Sequence, residues 1–167
     1  MNNSNSKQEW DFFSRNREEI ENLLEHFNRF KERLWTIQKE QIAYLREKVA
    51  DSTGDSSWWI WEGWDLGVHF NERKHCIGIE SHFSEADNDP CACFHIYITT
   101  WKTTDWIPYK DKVMQCFADY NPHEEYEDNR VYIHLFDDIP GNDSQRIVDS
   151  LKDVYIKLKT IASEVDA

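Results

Sequence analysis

Thiols, imidazoles and carboxylates recur at every second position in two neighbouring stretches of this sequence. The first stretch carries Cys76, Glu80 and His82, and the second carries Cys91, Cys93 and His95. Because successive side chains of a β-strand point to opposite faces, each set is expected on one face of a sheet. Zinc takes about four ligands of these types in a tetrahedral array, so a metal site on this face is one hypothesis.

The spacing of these residues argues against a metal. Structural zinc sites normally use paired cysteines on turns, whereas C-x-C-x-H on a flat strand spreads its side chains by about 6–7 Å per step. We therefore predict no metal and no cofactor; the residues that a metal would use are Cys76, His82, Cys93 and His95. In the alternative interpretation, the small Cys and Gly residues of this face let the N-terminal helix approach it closely.

Hydrophobic periodicity predicts the elements that position these residues. Period-two alternation predicts strands over 64–70, 75–83, 91–101 and 130–136, and spacing by three and four predicts helices over 108–119 and from Asp143 or Ser144 to Val165. The order α-β-β-β-α-β-α predicts an α+β fold: a long N-terminal helix or helical hairpin, then a four-stranded, mainly antiparallel sheet with two helices on one face. If the third and fourth strands are parallel neighbours, their helical crossover is expected to be right-handed.

One face of this sheet is expected to form the core. Its apolar residues are Leu66, Val68, Phe70, Ile77, Ile79, Phe94, Ile96, Ile98, Val131, Ile133 and Leu135. The two later helices are predicted to cover it, since both carry an apolar stripe.

Residues 1–51 are predicted to form a helical arm, separate from an acidic α+β domain over 58–167. Ser6 and Glu9 have the spacing of a capping box, and no Gly or Pro occurs from Lys7 to Ala50. Apolar residues fill the a and d positions of a heptad, with Gln41 as a polar exception: Phe13, Ile20, Leu23, Phe27, Phe30, Leu34, Ile37 and Tyr44. Three interpretations stay open: a homodimer through residues 10–45, folding back onto the domain, or docking to another protein.

The predicted element order over residues 40–136 resembles the core of the PD-(D/E)xK nucleases. That resemblance implies an acid on one strand and an acid-x-Lys motif on the next, which together hold Mg²⁺. The nearest match is Asp65 with Glu80-Ser81-His82, where histidine stands in place of the lysine. The motif also falls one strand earlier than the family pattern implies.

Negative charge is concentrated in the second part of the chain. Residues 1–51 contain nine Lys/Arg and ten Asp/Glu (net −1), and residues 52–167 contain ten and 22 (net −12), which gives the total of −13. Two acidic loops are expected to meet at one pole of the domain beside a tryptophan cluster. The predicted partner-binding residues are Glu85, Asp87, Asp89, Glu124, Glu125, Glu127, Asp128, Trp58, Trp59 and Trp61. Alternatively, the loops are only solvated and the tryptophans fill the space between arm and sheet.

These features favour a cytoplasmic protein without catalysis. A strongly acidic surface repels nucleic acid and membrane phosphates and attracts basic proteins. We predict an inhibitor or antidote, such as an immunity protein, an antitoxin or a phage-type anti-defence protein, which blocks a basic, nucleic-acid-binding partner by mimicking nucleic acid. The alternative is a metal-binding protein or a degenerate PD-(D/E)xK-like enzyme that uses the His/Cys/acid face.

Overall fold

The structure is a computed structural model that describes residues 3–70, 77–86, 89–101 and 103–165. Within these ranges, the side chains of residues 3–6, 8, 85, 86, 89–91 and 136–138 are not part of the description. The chain divides into two compact units, Met1–Ile37 and Gln38–Ala167. The unit boundary thus lies inside the N-terminal helical region, whereas the sequence prediction places the domain boundary in the linker that follows residue 51.

The N-terminal region is helical, as predicted. Helix α1 spans Asn3–Arg15 and helix α2 spans Arg17–Thr53. Only Asn16 separates them, and its backbone N–H still donates to the Phe12 carbonyl at 3.1 Å. The Asn16 side chain donates to the same carbonyl at 2.8 Å. This competition for one acceptor is typical of asparagine, which disfavours helix interiors for that reason.

The second unit contains an antiparallel sheet of six strands within the described residues. The strands are β1 (Trp59–Trp61), β2 (Asp65–Phe70), β3 (Ile77–Ala86), β4 (Asp89–Thr100), β5 (His123–Glu127) and β6 (Arg130–Pro140), in the spatial order β1-β2-β3-β4-β6-β5. The short helices α3 (Thr103–Trp106) and α4 (Lys110–Cys116) and a 3-10 turn (Ala118–Tyr120) connect β4 to β5. Helix α5 (Ser144–Val165) follows β6.

The apolar face of the sheet forms the core, as predicted. All eleven residues assigned to that face are buried. They belong to one cluster with Phe117, which follows α4, and with the buried sides of α2, α4 and α5, to which these helices contribute Ile42, Leu45, Val49, Val113, Ile147, Leu151, Val154, Leu158 and Ile161. The α+β class and the closing helix are therefore confirmed. Among the described residues, none of the helices combines the length and apolar character that crossing a bilayer requires.

The predicted number of four strands was wrong because two short edge strands were missed. β1 has only three residues. β5 reads His-Glu-Glu-Tyr-Glu and has no buried residue, so it lacks the alternation that identifies a half-buried strand. Edge strands commonly carry charges, which discourage pairing with another chain.

Strand β5 also changes the predicted connection between β4 and the strand over 130–136. That strand, β6, is antiparallel to β4, not parallel. β5 is antiparallel to β6 and therefore runs in the direction of β4, on the far side of β6. The helical crossover thus ends at β5, and a tight turn then reverses the chain into β6. The helix predicted over 108–119 is correspondingly shorter, because it shares this connection with α3 and the 3-10 turn.

Candidate functional site

A pocket of about 370 Å³ opens on the sheet face opposite the core, which we call the polar face. Strands β1 to β3 and the ends of β4 and β6 supply its lining: Trp59, Ile60, Trp61, Asp65, His69, Glu80, Trp101 and Arg130. The pocket volume lies in the range of small-ligand sites. Three tryptophan rings and two carboxylates therefore surround a space that holds one long side chain or a small molecule.

Two glycines on β2 and β3 make room for the rings at the base of this pocket. Trp59 pairs with Gly67, and a Cβ atom added at Gly67 would lie 2.5 Å from Cζ2 of Trp59. His69 pairs with Gly78, and a Cβ atom added there would lie 2.3 Å from Cδ2 of His69. These residues were expected to allow close approach of the N-terminal helix; in the structure they admit side chains of the pocket instead.

The rings form a continuous aromatic wall around His69. The His69 ring centroid lies 5.3 Å from that of Trp59 and 4.9 Å from that of Trp101, and the latter pair meets edge to face. The His69 side chain is only 8% exposed, whereas Trp61 and Trp101 are 62% and 45% exposed. The imidazole therefore belongs to the base of the pocket, and the outer tryptophans stay accessible to a ligand.

Polar contacts at the base of the pocket converge on Glu80. Trp101 Nε1 donates to Glu80 Oε1 at 3.4 Å, and His69 Nε2 lies 3.9 Å from the same oxygen. Arg130 Nη1 lies 3.8 Å from Glu80 Oε2, and its guanidinium carbon is 5.3 Å from the centre of the Trp101 ring. Arg130 thus already occupies part of the pocket as a cation held between a carboxylate and an aromatic face.

Asp65 supplies a second carboxylate near Glu80. Burial raises the pKa of Asp65 above its ordinary value, and the charges of Glu80 and Glu62 raise it further, whereas Arg130 acts in the opposite direction. His82 Nδ1 lies 3.9 Å from an Asp65 oxygen. The ionised form of Asp65 is therefore disfavoured in this pocket, and a cation that enters from solvent would stabilise it.

A second depression continues the pocket toward the turn between β5 and β6. Its lining shares Trp101 and Arg130 with the first pocket and adds Glu127, Asp128, Asn129 and Tyr132. Arg130 Nη1 also donates to the Tyr132 hydroxyl at 2.9 Å. Carboxylates therefore lie on both sides of Arg130, along a groove that is open to solvent.

Histidines and tyrosines occupy the rest of the polar face. His82 stacks on Tyr97 with ring centroids 5.1 Å apart and lies 5.8 Å from His95. Burial and the neighbouring His95 lower the pKa of His82, so the neutral form of the His82 imidazole is favoured. His134 stacks on His123 at 4.3 Å. The row of rings is held by stacking and edge contacts across strands.

The metal candidates of this face do not form a ligand set in the described part of the chain. There, no group of three or more His, Cys, Asp or Glu residues is placed to hold a metal ion. His82 and His95 are neighbours across β3 and β4, and Cys93 pairs with Ser84 farther along the same strands. Cys76 lies outside the described residues.

The two acidic segments do not meet at one pole. The paired backbones of Ala86 and Asp89 lie at the end of the sheet where β2 begins, whereas the turn from Glu127 to Arg130 lies at the opposite end, beside Thr100. Glu124, Glu125 and Glu127 belong to the edge strand β5, and Asp128 follows in the turn with φ of 48°. Asp87 lies outside the described residues, as do the side chains of Glu85 and Asp89.

The predicted tryptophan cluster is divided by the structure. Trp58 is 1% exposed and belongs to the core, where its Nε1 donates to Thr53 Oγ1 at 3.2 Å. Trp59 and Trp61 line the pocket from β1, at the sheet edge opposite β5. Of the residues that line the pocket, the sequence interpretation named only Trp59 and Trp61 as partner-binding. It did not assign that role to Asp65, His69 or Glu80, and it missed Trp101 and Arg130 as site residues. Their one local signal is position, since each lies at a strand end beside the polar face.

Comparisons with protein-family models, with curated proteins and with solved structures found no match to this chain.

Proposed function

We propose that this protein is a non-catalytic binding module that blocks a basic partner protein, in the manner of an immunity protein, an antitoxin or a phage-type anti-defence protein. The observation that carries the proposal is the pocket itself, in which three tryptophans surround two carboxylates. A lysine or arginine of the partner would enter this pocket. The proposal includes a cytoplasmic location, with which the thiol of Cys116 is compatible, because the cytoplasm keeps thiols reduced.

A cation is the ligand group that best fits this lining. Ammonium and guanidinium groups are attracted to the faces of tryptophan rings and bind carboxylates by charge-assisted hydrogen bonds. Inside the pocket, the Arg130 guanidinium already lies over the Trp101 ring and forms an ion pair with Glu80 at 3.8 Å. A partner side chain between Trp59, Trp61 and Asp65 would repeat that arrangement on the other side of Glu80.

A partner that normally binds nucleic acid is the class that matches the overall charge. Residues 52–167, which we call the acidic body, carry a net charge of −12. This charge repels phosphate and increases the association rate of basic proteins. The groove continues to Glu127 and Asp128, so several basic side chains of the partner could each bind a carboxylate along it. Spaced carboxylates of this kind would occupy a phosphate-binding surface and mimic nucleic acid.

The test uses short peptides in place of the unidentified partner. We expect a lysine-rich and an arginine-rich peptide to bind and to change the fluorescence of the pocket tryptophans, and a glutamate-rich peptide of the same length not to bind. Glu80→Gln is expected to weaken binding about tenfold, because it removes the central carboxylate. Glu47→Gln makes the same change of net charge at an exposed site on α2 and serves as the matched control.

Titration calorimetry separates the pocket from unspecific attraction to an acidic surface. A much larger loss of peptide affinity in Glu80→Gln than in Glu47→Gln would support binding of the peptides in the pocket. Equal losses for both variants, or no binding of either basic peptide to the unaltered protein, would contradict the proposal.

A second candidate function rests on the pairing of Asp65 with Glu80. These acids lie on neighbouring strands and line one pocket, which is the part of the PD-(D/E)xK pattern that the structure brings together. The candidate is a degenerate enzyme or metalloprotein of that fold. Calorimetric titration with Mn²⁺, together with a DNA-cleavage assay, tests it; saturable Mn²⁺ binding that Asp65→Asn abolishes would favour this candidate over the binding module.

A further inference from the structure

The helical arm exposes an apolar stripe that its own unit does not bury. We call this stripe the arm seam: the a and d positions of the heptad from Phe13 to Ile37. Within that range Leu23 is 68% exposed and Phe27 is 50% exposed, and a shallow apolar depression runs along the helix between Ile20 and Phe30. Most helical stability in proteins comes from packing of an apolar face, so a helix of this length needs a partner surface.

We propose that the arm seam binds a second copy of this chain as an antiparallel helical pair centred on Glu25. This inference is independent of the proposed function. In that register each a position faces a d position of the second copy. The resulting pairs are Phe13 with Ile37, Ile20 with Phe30, Leu23 with Phe27, and Asn16 with Leu34.

Side-chain volume favours this antiparallel register over a parallel one. Every phenylalanine of the seam then faces an isoleucine or a leucine, so large and smaller side chains alternate across the interface. A parallel pair in register would place Phe13, Phe27 and Phe30 each against its own copy, and Asn16 against Asn16. Contacts between identical large side chains crowd the interface, and two facing asparagine amides would be buried there. Both are less favourable than the antiparallel arrangement, in which each phenylalanine faces a smaller apolar residue.

Charge is compatible with the antiparallel pair. Residues 10–37 carry five Lys/Arg and six Asp/Glu, a net charge of −1, so two arms repel each other little. In the proposed register Glu19 lies next to Arg33 of the second copy, and symmetry repeats this pair. Lys31 faces Arg17 of the second copy. The charge of Arg17 is already matched within its own chain, because Arg17 Nε donates to Glu21 Oε1 at 2.7 Å.

The area available is suitable for a stable dimer. Five aromatic side chains on the seam or beside it are roughly half exposed or more: Trp10, Phe12, Phe13, Phe27 and Phe30. At on the order of 100 Å² each, together with the exposed leucines and isoleucine, they approach the roughly 800 Å² per partner of a standard interface. The a and d positions lie at the centre, and Trp35 lies outside the seam.

The first test is the mass of the full chain in solution by sedimentation and light scattering. We expect twice the chain mass of 20.1 kDa at micromolar concentration. Leu23→Asp is expected to give a monomer. It places a charge against Phe27 of the second copy, and symmetry repeats this contact at the centre of the interface. Trp35→Ala removes exposed apolar surface outside the seam and should leave the dimer intact. A monomeric unaltered chain, or a dimer that survives Leu23→Asp, overturns the proposal.

The second test separates antiparallel from parallel pairing without removing apolar residues. Glu19→Arg and Arg33→Glu are each expected to raise the dimer dissociation constant about tenfold, since each replaces two attractive contacts by two repulsive ones. The double variant should return to within about threefold of the original value. Circular dichroism confirms that each variant keeps its helix. Failure of the double variant to recover overturns the antiparallel register.

Discussion

At the scale of single residues, Asp65 combines a cost in stability with a proposed role in binding. Its side chain is 38% exposed, and its folded-state pKa lies above its ordinary value. The unfolded chain therefore loses this proton first as the pH rises. As the pH rises above the ordinary pKa of aspartate, the free energy of unfolding therefore decreases. The decrease is complete once the pH exceeds the raised pKa of Asp65 in the folded protein.

Asp65→Asn is therefore expected to stabilise the fold at neutral pH, by about 0.5 kcal/mol after allowance for solvent screening. The gain should disappear in acid, where Asp65 is protonated. The same variant should bind a lysine-rich peptide more weakly. Urea unfolding at several pH values and peptide titration measure the two effects, with the exposed Asp119→Asn as control. A variant that is less stable at neutral pH would refute this account of Asp65.

Arg130 is a second residue whose replacement gives a directional prediction. Its guanidinium contacts Glu80 and Trp101, so it is expected to compete with the basic side chain of the proposed partner. Arg130→Gln should raise affinity for the lysine-rich peptide by about threefold to tenfold. Lys112→Gln makes the same charge change at its exposed ion pair with Glu164 and should have little effect. Weaker binding by Arg130→Gln would instead indicate that Arg130 contacts an anionic group of the ligand.

At the scale of elements, the close packing of β1 on β2 depends on glycine. A Cβ atom at Gly67 would lie 2.5 Å from the Trp59 ring and 2.7 Å from the Ile79 carbonyl oxygen. Gly67→Ala should therefore destabilise the fold by about 1–3 kcal/mol and displace Trp59 from the pocket. The measurements are the urea midpoint and the fluorescence change on peptide binding.

The variant Trp59→Ala provides the control for this prediction. Removing the ring relieves one of the two clashes, so Gly67→Ala should cost less in the Trp59→Ala background than in the unaltered protein. Strict additivity of the two substitutions would show that Trp59 does not pack over Gly67.

At the scale of the whole molecule, the acidic body and the pocket are expected to control different rate constants. Long-range attraction by the net charge increases association, whereas contacts inside the pocket slow dissociation. Raising salt from about 0.02 M to about 0.2 M should reduce the association rate of a basic peptide roughly tenfold and change its dissociation rate little. Stopped-flow fluorescence measures both rate constants.

Two variants test that division of roles. Replacing the exposed Asp111 and Asp119 by lysine should slow association, because it reverses charge on the acidic body outside the groove. Trp101→Ala should accelerate dissociation, because it removes an aromatic wall of the pocket. If both variants changed the same rate constant, the separation between steering by charge and retention by the pocket would be wrong.

Local patterning was sufficient to predict the core of the second unit. Leu66, Val68 and Phe70 alternate along β2, and the apolar stripe of α5 recurs by three and four from Ile147, so each element shows which side it buries. The same reasoning identified the polar face, because it is the complement of the apolar one. Asp65 and Glu80 were named together only as the nearest match to the acid pair that the nuclease resemblance implies.

The sequence by itself thus determined the class of fold, the helical arm, the core face and the acidic charge of the body, all of which depend on near neighbours along the chain. Only the tertiary structure decided which distant residues meet. β5 has no apolar side to identify it, yet its insertion reverses β6 and separates the two acidic segments. Trp59, Trp101 and Arg130 come together because strand order and register join positions far apart in sequence, and local periodicity does not encode either.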